Sequence, residues 1–161
     1  MKLVLMGVAG CGKSSVGLAL SPVLGLPYLD GDDLHSAANV AKMSRGAPLT
    51  DDDRAPWLAL IGARLWDADM IIGCSALRRR YRDLIRDAAG AEVGFIHLAG
   101  SRAVIEARMA ARQGHFMPTS LIDSQFAALE PPEPDEISVT ADIDQPLAAI
   151  VAQISAAIPV R

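Results

Sequence analysis

Residues 7–14 read Gly-Val-Ala-Gly-Cys-Gly-Lys-Ser, the pattern G-x-x-x-x-G-K-S. Glycines at this spacing let a backbone turn tightly and aim successive N–H groups at one point. Such a cradle suits a phosphate, and a helix starting at its end adds the partial positive charge of its N-terminus. The lysine can reach the β- and γ-phosphates of a nucleotide, and the hydroxyl beside it can ligate Mg²⁺. Gly7, Val8, Ala9, Gly10, Cys11, Gly12, Lys13, Ser14 and Ser15 are therefore expected to hold the phosphates of ATP, with Lys13 catalytic and Ser14 on the metal. The bland alternative is a glycine-rich turn that binds nothing. An apolar run before the loop and a helical pattern after it argue against that.

A second run, YLDGDDLHSAANVAKMSRGAPLTDDDRAPWL at 28–58, brings acids, a histidine and an arginine together. Asp30 and Asp32 close a short strand. In a parallel sheet that end opens on the same crevice as the phosphate loop. One carboxylate there, Asp30, can hold Mg²⁺, and another, Asp32, can orient or deprotonate an attacking hydroxyl. Asp as a helix cap is the competing reading. Asp51, Asp52 and Asp53 read as a first helical turn, where acids suit the dipole. His35 and Arg54 are candidates for an anionic substrate, with capping, packing or surface charge as the alternative. Further along, Cys74-Ser75-Ala76-Leu77-Arg78 ends a third strand. Ser75 can bond a polyol hydroxyl and Arg78 a carboxylate. Cys74 reads as a small buried residue, since no catalytic partner is evident. As a cluster, Arg78, Arg79, Arg80 and Arg82 read as a solvated helix face, with one member free to face the substrate. Arg108 and Arg112 lie four apart on one helix face, and Gln125 is open between a polar pocket and the edge of the core.

Together these residues resemble a gluconokinase of the small phosphate-loop type, related to shikimate kinases and nucleoside monophosphate kinases. MGVAGCGKSS, LDGDDLH, KMSRGAPLTDDDR-x-PWL, CSALRRRYRD, RQGHFM and DIDQPL carry the resemblance across nearly the whole chain. The phosphate loop alone is widely shared; the second and third segments together are far more specific. Two positions depart from the family's usual pattern: Ser36 stands where Pro follows Leu-His, and Arg78 where Lys follows Cys-Ser-Ala-Leu. The resemblance implies transfer of a phosphoryl group from ATP to D-gluconate. It also implies a short lid at 112–121 in which Arg112 and Arg108 neutralise phosphate charge, shaped by His115, Phe116 and Met117. Asp142 to Pro146 would border the adenine, and a homodimer is suggested. Another small-molecule kinase of the same fold is the runner-up. A nucleotide-binding module without turnover is the non-enzyme reading, disfavoured because Lys13, Ser14, Asp32 and the arginines are all present.

The elements that must position these residues alternate strand and helix. Strands are expected at 2–6, 27–29, 70–74, 93–98 and 137–140. Helices are expected at 13–24, 34–44, 51–68, 76–89, 101–112 and 121–129, with a last one whose apolar face carries Leu147, Ile150, Val151, Ile154 and Ile158. This alternation implies an α/β fold, a doubly wound parallel sheet of five strands flanked by helices. At 161 residues and 51% hydrophobic, one domain over 1–161 can fill a core. A formal charge of −4 gives no nucleic-acid surface. Two distant cysteines suit a reducing compartment. No apolar run reaches a membrane span. The expected setting is the cytoplasm.

Overall fold

The computed structural model describes residues 1–111 and 119–159. Five parallel strands form one sheet: β1 Lys2–Met6, β2 Tyr28–Asp30, β3 Met70–Gly73, β4 Gly94–Ala99 and β5 Ser138–Asp142. Their order across the sheet is β2-β3-β1-β4-β5. The helices are α1 Lys13–Leu24, α2 Ala37–Ser44, α3 Asp51–Asp67, α4 Arg79–Ala89, α5 Arg102–Ala111, α6 Thr119–Ala128 and α7 Leu147–Ala157. A 3₁₀ turn, Gly31–Leu34, follows β2. The expected doubly wound α/β sheet is the one observed.

β1 is apolar without alternation because both of its faces are covered. Leu3 and Leu5 join Val16 and Leu20 of α1 and Ile150 and Ile154 of α7. Val4 and Met6 join Trp57, Leu58, Ile61 and Leu65 of α3 and Ile85 of α4 on the other face. Truncating one of these aliphatic side chains to alanine costs about 2–5 kcal/mol. In α7, Ile150, Val151 and Ile154 are buried as their spacing requires, as is Ile158 just past its end, whereas Leu147 is exposed.

Two helices begin later than the apolar periodicity suggests. The expected helix over 34–44 is split, with extended backbone at His35 (φ −64°, ψ 143°). The split has a local cause: the Ser36 hydroxyl accepts the Asn39 N–H at 3.1 Å and caps α2. The helix expected from Ala76 starts instead at Arg79, because Ala76 is in the left-handed region (φ 43°). No helix among the described residues is long and apolar enough to cross a membrane.

Candidate active site

Register brings the chemistry to one edge. Leu5 of β1 and Asp30 of β2 both pair with Gly73 of β3, while Met6 pairs with His97 of β4 and Ala99 with Asp142 of β5. The carboxyl ends of the strands therefore stand level. From them emerge the phosphate loop, the Asp30–Asp32 turn, the Cys74–Arg78 segment and the loop after β5. The sheet's switch point, where the chain leaves β1 for one side and then the other, lies among them.

The loop's shape is enforced sterically at its two ends. A Cβ on Gly7 would lie 2.6 Å from Cys11 Sγ and 2.9 Å from the Leu98 carbonyl oxygen, so no other residue fits. Gly12 caps α1 in the left-handed region (φ 94°), which a side chain would strain. The Lys13 ammonium folds back on the carbonyls of Gly7 (3.1 Å) and Val8 (3.4 Å). The Gly7 N–H is held by the Ser75 carbonyl at 3.2 Å, so the phosphate loop and the Cys74–Arg78 segment are stitched together.

Asp30 serves two neighbours. Its Oδ1 accepts the Asp32 N–H at 3.0 Å, shaping the 3₁₀ turn, and its Oδ2 lies 3.5 Å from Ser14 Oγ. The capping reading and the functional one thus hold at once. A carboxylate and a hydroxyl converging beside Lys13 are the hard oxygen donors that Mg²⁺ takes. The Tyr28 hydroxyl is buried beside them, close to Ser14 but without a hydrogen bond of good geometry among the described residues. Asp32 extends an exposed side chain. Its pKa is raised, first by partial loss of water where its backbone enters the crevice and then by the charge of Asp30, with Lys13 opposing; the exposure of the carboxylate keeps the first effect modest. A raised pKa makes it a better proton acceptor.

His35 is buried against Trp57, ring centroids 4.0 Å apart and planes 18° from parallel. Its pKa is lowered, first by burial. Arg54, from the first turns of α3, donates to the Tyr81 hydroxyl at 3.2 Å and lies over that ring. Tyr81 in turn donates to Asp51 at 2.7 Å. Arg78 opens α4, and its guanidinium makes no ion pair among the described residues. Arg108 sits against Gly12 and donates to the Ile143 carbonyl, joining the phosphate loop to the loop after β5. Gln125 accepts the Ala9 N–H at 3.0 Å, so it faces the phosphate loop from α6. Arg112, His115, Phe116, Met117 and the core of the expected lid lie outside the described residues.

The basic run at the start of α4 is only in part the solvated face its composition suggests: Arg80 is exposed, whereas Arg82 is not. Arg82 and Glu136 are both fully buried and paired through two bonds of 2.7 and 3.0 Å. Arg82 also donates to the Ala76 carbonyl at 2.9 Å, bracing the left-handed residue of the Cys74–Arg78 segment. Arg86 adds a third bond to Glu136, and Arg79 pairs with Asp135. Against its burial, these donors and the Glu133 N–H bring Glu136 down to about 2. Cys74 is buried, and that burial pushes its thiol up to about 12, so it is no nucleophile. Tyr28, Asn39, Trp57, Tyr81 and Glu136 join the site or brace it, yet their types alone read as core or surface.

A phosphate loop on the central strand of a parallel sheet, with an acidic turn on the strand two places away, defines a phosphate-loop small-molecule kinase. No family model matches the chain. It is 45% identical over 155 residues to the thermoresistant gluconokinase of Escherichia coli K12, covering 92% of this chain and 88% of that one. The thermosensitive gluconokinase of the same organism is 42% identical over 165 residues, covering 96% and 86%. The crystal structure of a gluconokinase from Sinorhizobium meliloti 1021 superposes with a TM-score of 0.90 at 49% identity, over 96% of this chain and 89% of that one. The chain belongs to the gluconokinase family.

Proposed function

We propose that this protein transfers the γ-phosphoryl group of ATP to the primary hydroxyl of D-gluconate, giving 6-phospho-D-gluconate and ADP. The observation that carries the reading is the placement of Asp32 just past β2, on the same rim of the sheet as the phosphate loop and Lys13, in a chain of this family. Lys13 would exchange the Gly7 and Val8 carbonyls for phosphate oxygens. The loop N–H groups would hold the β-phosphate, and Asp32 would accept the hydroxyl proton. Ser14 and Asp30 would hold Mg²⁺, which supplies neutralisation of phosphate charge. Arg54 and Arg78 are the cations for the substrate's carboxylate. With that end fixed, the far hydroxyl is directed at the phosphate, so positioning supplies much of the rate. Arg108 stands beside the loop to meet phosphate charge, and Arg112 is proposed to do so from the lid.

The cytoplasm suits a chain whose two cysteines, Cys11 and Cys74, are buried and unpaired. Coupled ADP release measured with gluconate, shikimate and a panel of nucleoside monophosphates tests the reading. Gluconate is expected to give by far the highest kcat/KM. Faster turnover of shikimate or a monophosphate would overturn it.

A further inference from the structure

Asn39 lies buried in the first turn of α2, where its residue type suggests nothing beyond packing. Its amide nitrogen donates to the backbone carbonyl of Asp53 at 3.0 Å. A carbonyl oxygen only accepts, so this contact fixes which end of the amide carries the hydrogens. The same nitrogen stands 3.3 Å from Nδ1 of His35. An amide NH₂ offers no lone pair, so Nδ1 must be the acceptor and the proton of the neutral ring is left on Nε2. Nε2 faces Asp32, 3.9 Å from Oδ1. That gap exceeds a hydrogen bond, and such catalytic contacts commonly shorten when substrate binds.

The anchor behind Asn39 is itself held. Thr50 and Asp53 form a reciprocal capping box at the start of α3, and Lys42 pairs with the Asp53 carboxylate at 2.6 Å. Trp57 fixes the plane of the imidazole, and its indole N–H is tied to the Gly31 carbonyl at 2.8 Å. Tautomer, plane and direction of His35 are thus set by residues that do not themselves reach Asp32.

We propose that Asn39 is a positioning residue that holds His35 as the Nε2–H tautomer, so that His35 donates to one carboxylate oxygen of Asp32 and leaves the other for the acceptor's proton. The inference rests on the gluconate-kinase reading for the role of Asp32. In the step, the hydroxyl oxygen bonds to the γ-phosphorus and the bond from that phosphorus to the bridging oxygen breaks, leaving with ADP. The hydroxyl proton passes to Asp32, and His35 keeps its own. A ring protonated on Nδ1 would instead turn a bare Nε2 lone pair toward the carboxylate, repelling it from this orientation.

The test is ¹⁵N NMR of histidine-labelled full-length protein at neutral pH, the His35 ring signals being identified by their loss in His35→Gln. An Nε2–H pattern is expected in the free protein. In Asn39→Asp the new side chain can only accept, so the Nδ1–H form or the imidazolium is expected, with kcat for gluconate falling roughly ten- to a hundred-fold and KM for ATP little changed. Asn39→Ala gives a second variant should the first fail to fold. Its ring is expected to mix both tautomers, with an intermediate loss of kcat. An Nδ1–H ring in the native protein, an unchanged tautomer in Asn39→Ala, or a reversed tautomer with native kcat would each overturn the proposal. The ring state is read without substrate, so a protein with the expected tautomer that ignored gluconate would sink the functional reading separately.

Discussion

On the phosphate side of the crevice, the groups proposed to hold phosphate belong to one continuous stretch of main chain, with Lys13 and Ser14 added at its end. On the acceptor side the proposed groups are side chains from three elements: Asp32 from the 3₁₀ turn, His35 behind it, and Arg54 from α3, with Arg78 at the head of α4. The first arrangement is stiff because backbone geometry is fixed by glycine placement. The second is only as exact as the packing behind each side chain, so it needs the Trp57 stack, the Tyr81–Asp51 contact and the buried Arg82–Glu136 pair. A phosphate is the same in every nucleotide, and a backbone cradle serves it. A polyol acid is told from its neighbours by side chains, and these need bracing.

The largest effect should come from the phosphate side. Lys13→Ala is expected to lower kcat by about 10³-fold or more while Tm stays within a few degrees, because among the described residues Lys13 bonds only the loop's carbonyls and Cys11. Near-native turnover in the folded variant would show that the cradle acts without its lysine.

The bracing comes next. Arg82→Met strands a buried carboxylate and should cost about 3–5 kcal/mol of stability in denaturant unfolding. The double variant Arg82→Met with Glu136→Leu should recover much of that. If it regains stability but not gluconate affinity, bracing of the Ala76 segment is what the pair provides. The same pair sets an acid limit. Glu136 has an ordinary value of 4.5 and a folded value of about 2, so its contribution is fully present above about 4.5 and is lost as pH falls toward 2. Thermal melts of Glu136→Gln, less stable at neutral pH, should show a shallower decline across that window than the native protein. Parallel declines would remove Glu136 from the acid transition.

Smaller changes belong to the acceptor itself. Asp32→Asn keeps size and removes the proton acceptor, so kcat should drop about 10²-fold with a lesser change in KM. Arg54→Ala should raise KM for gluconate by roughly ten-fold, the loss of one charge-assisted contact, and leave KM for ATP alone. Sorbitol, which lacks the carboxylate, should be a poor substrate. Sorbitol turning over as well as gluconate would dissolve the distinction between the two sides.

The same contrast explains what the sequence made readable. The phosphate loop is contiguous, so its eight residues announced it, and strand–helix alternation carried the sheet. Asp30, Asp32, His35, Arg54 and Arg78 stood out as chemical types placed at strand or helix ends. Asn39, Trp57 and Tyr81 did not, because their roles depend on which helices meet. The basic run in α4 read as solvated because its partner, Glu136, lies 54 residues further along the chain. The start of α4 was misplaced for a related reason: the Ala76 conformation is stabilised by that same distant pair.

The order of the strands also governs how the protein is made. β1 is made before the other four strands of the sheet, yet its two neighbours are β3 and β4. The apolar residues of β1, with the phosphate loop attached, therefore wait for Met70–Gly73 before any backbone ladder can form on either edge. At about 5–20 residues per second that delay is on the order of ten seconds. Of the five strands, the one that leads into the phosphate loop thus waits longest for its first partner.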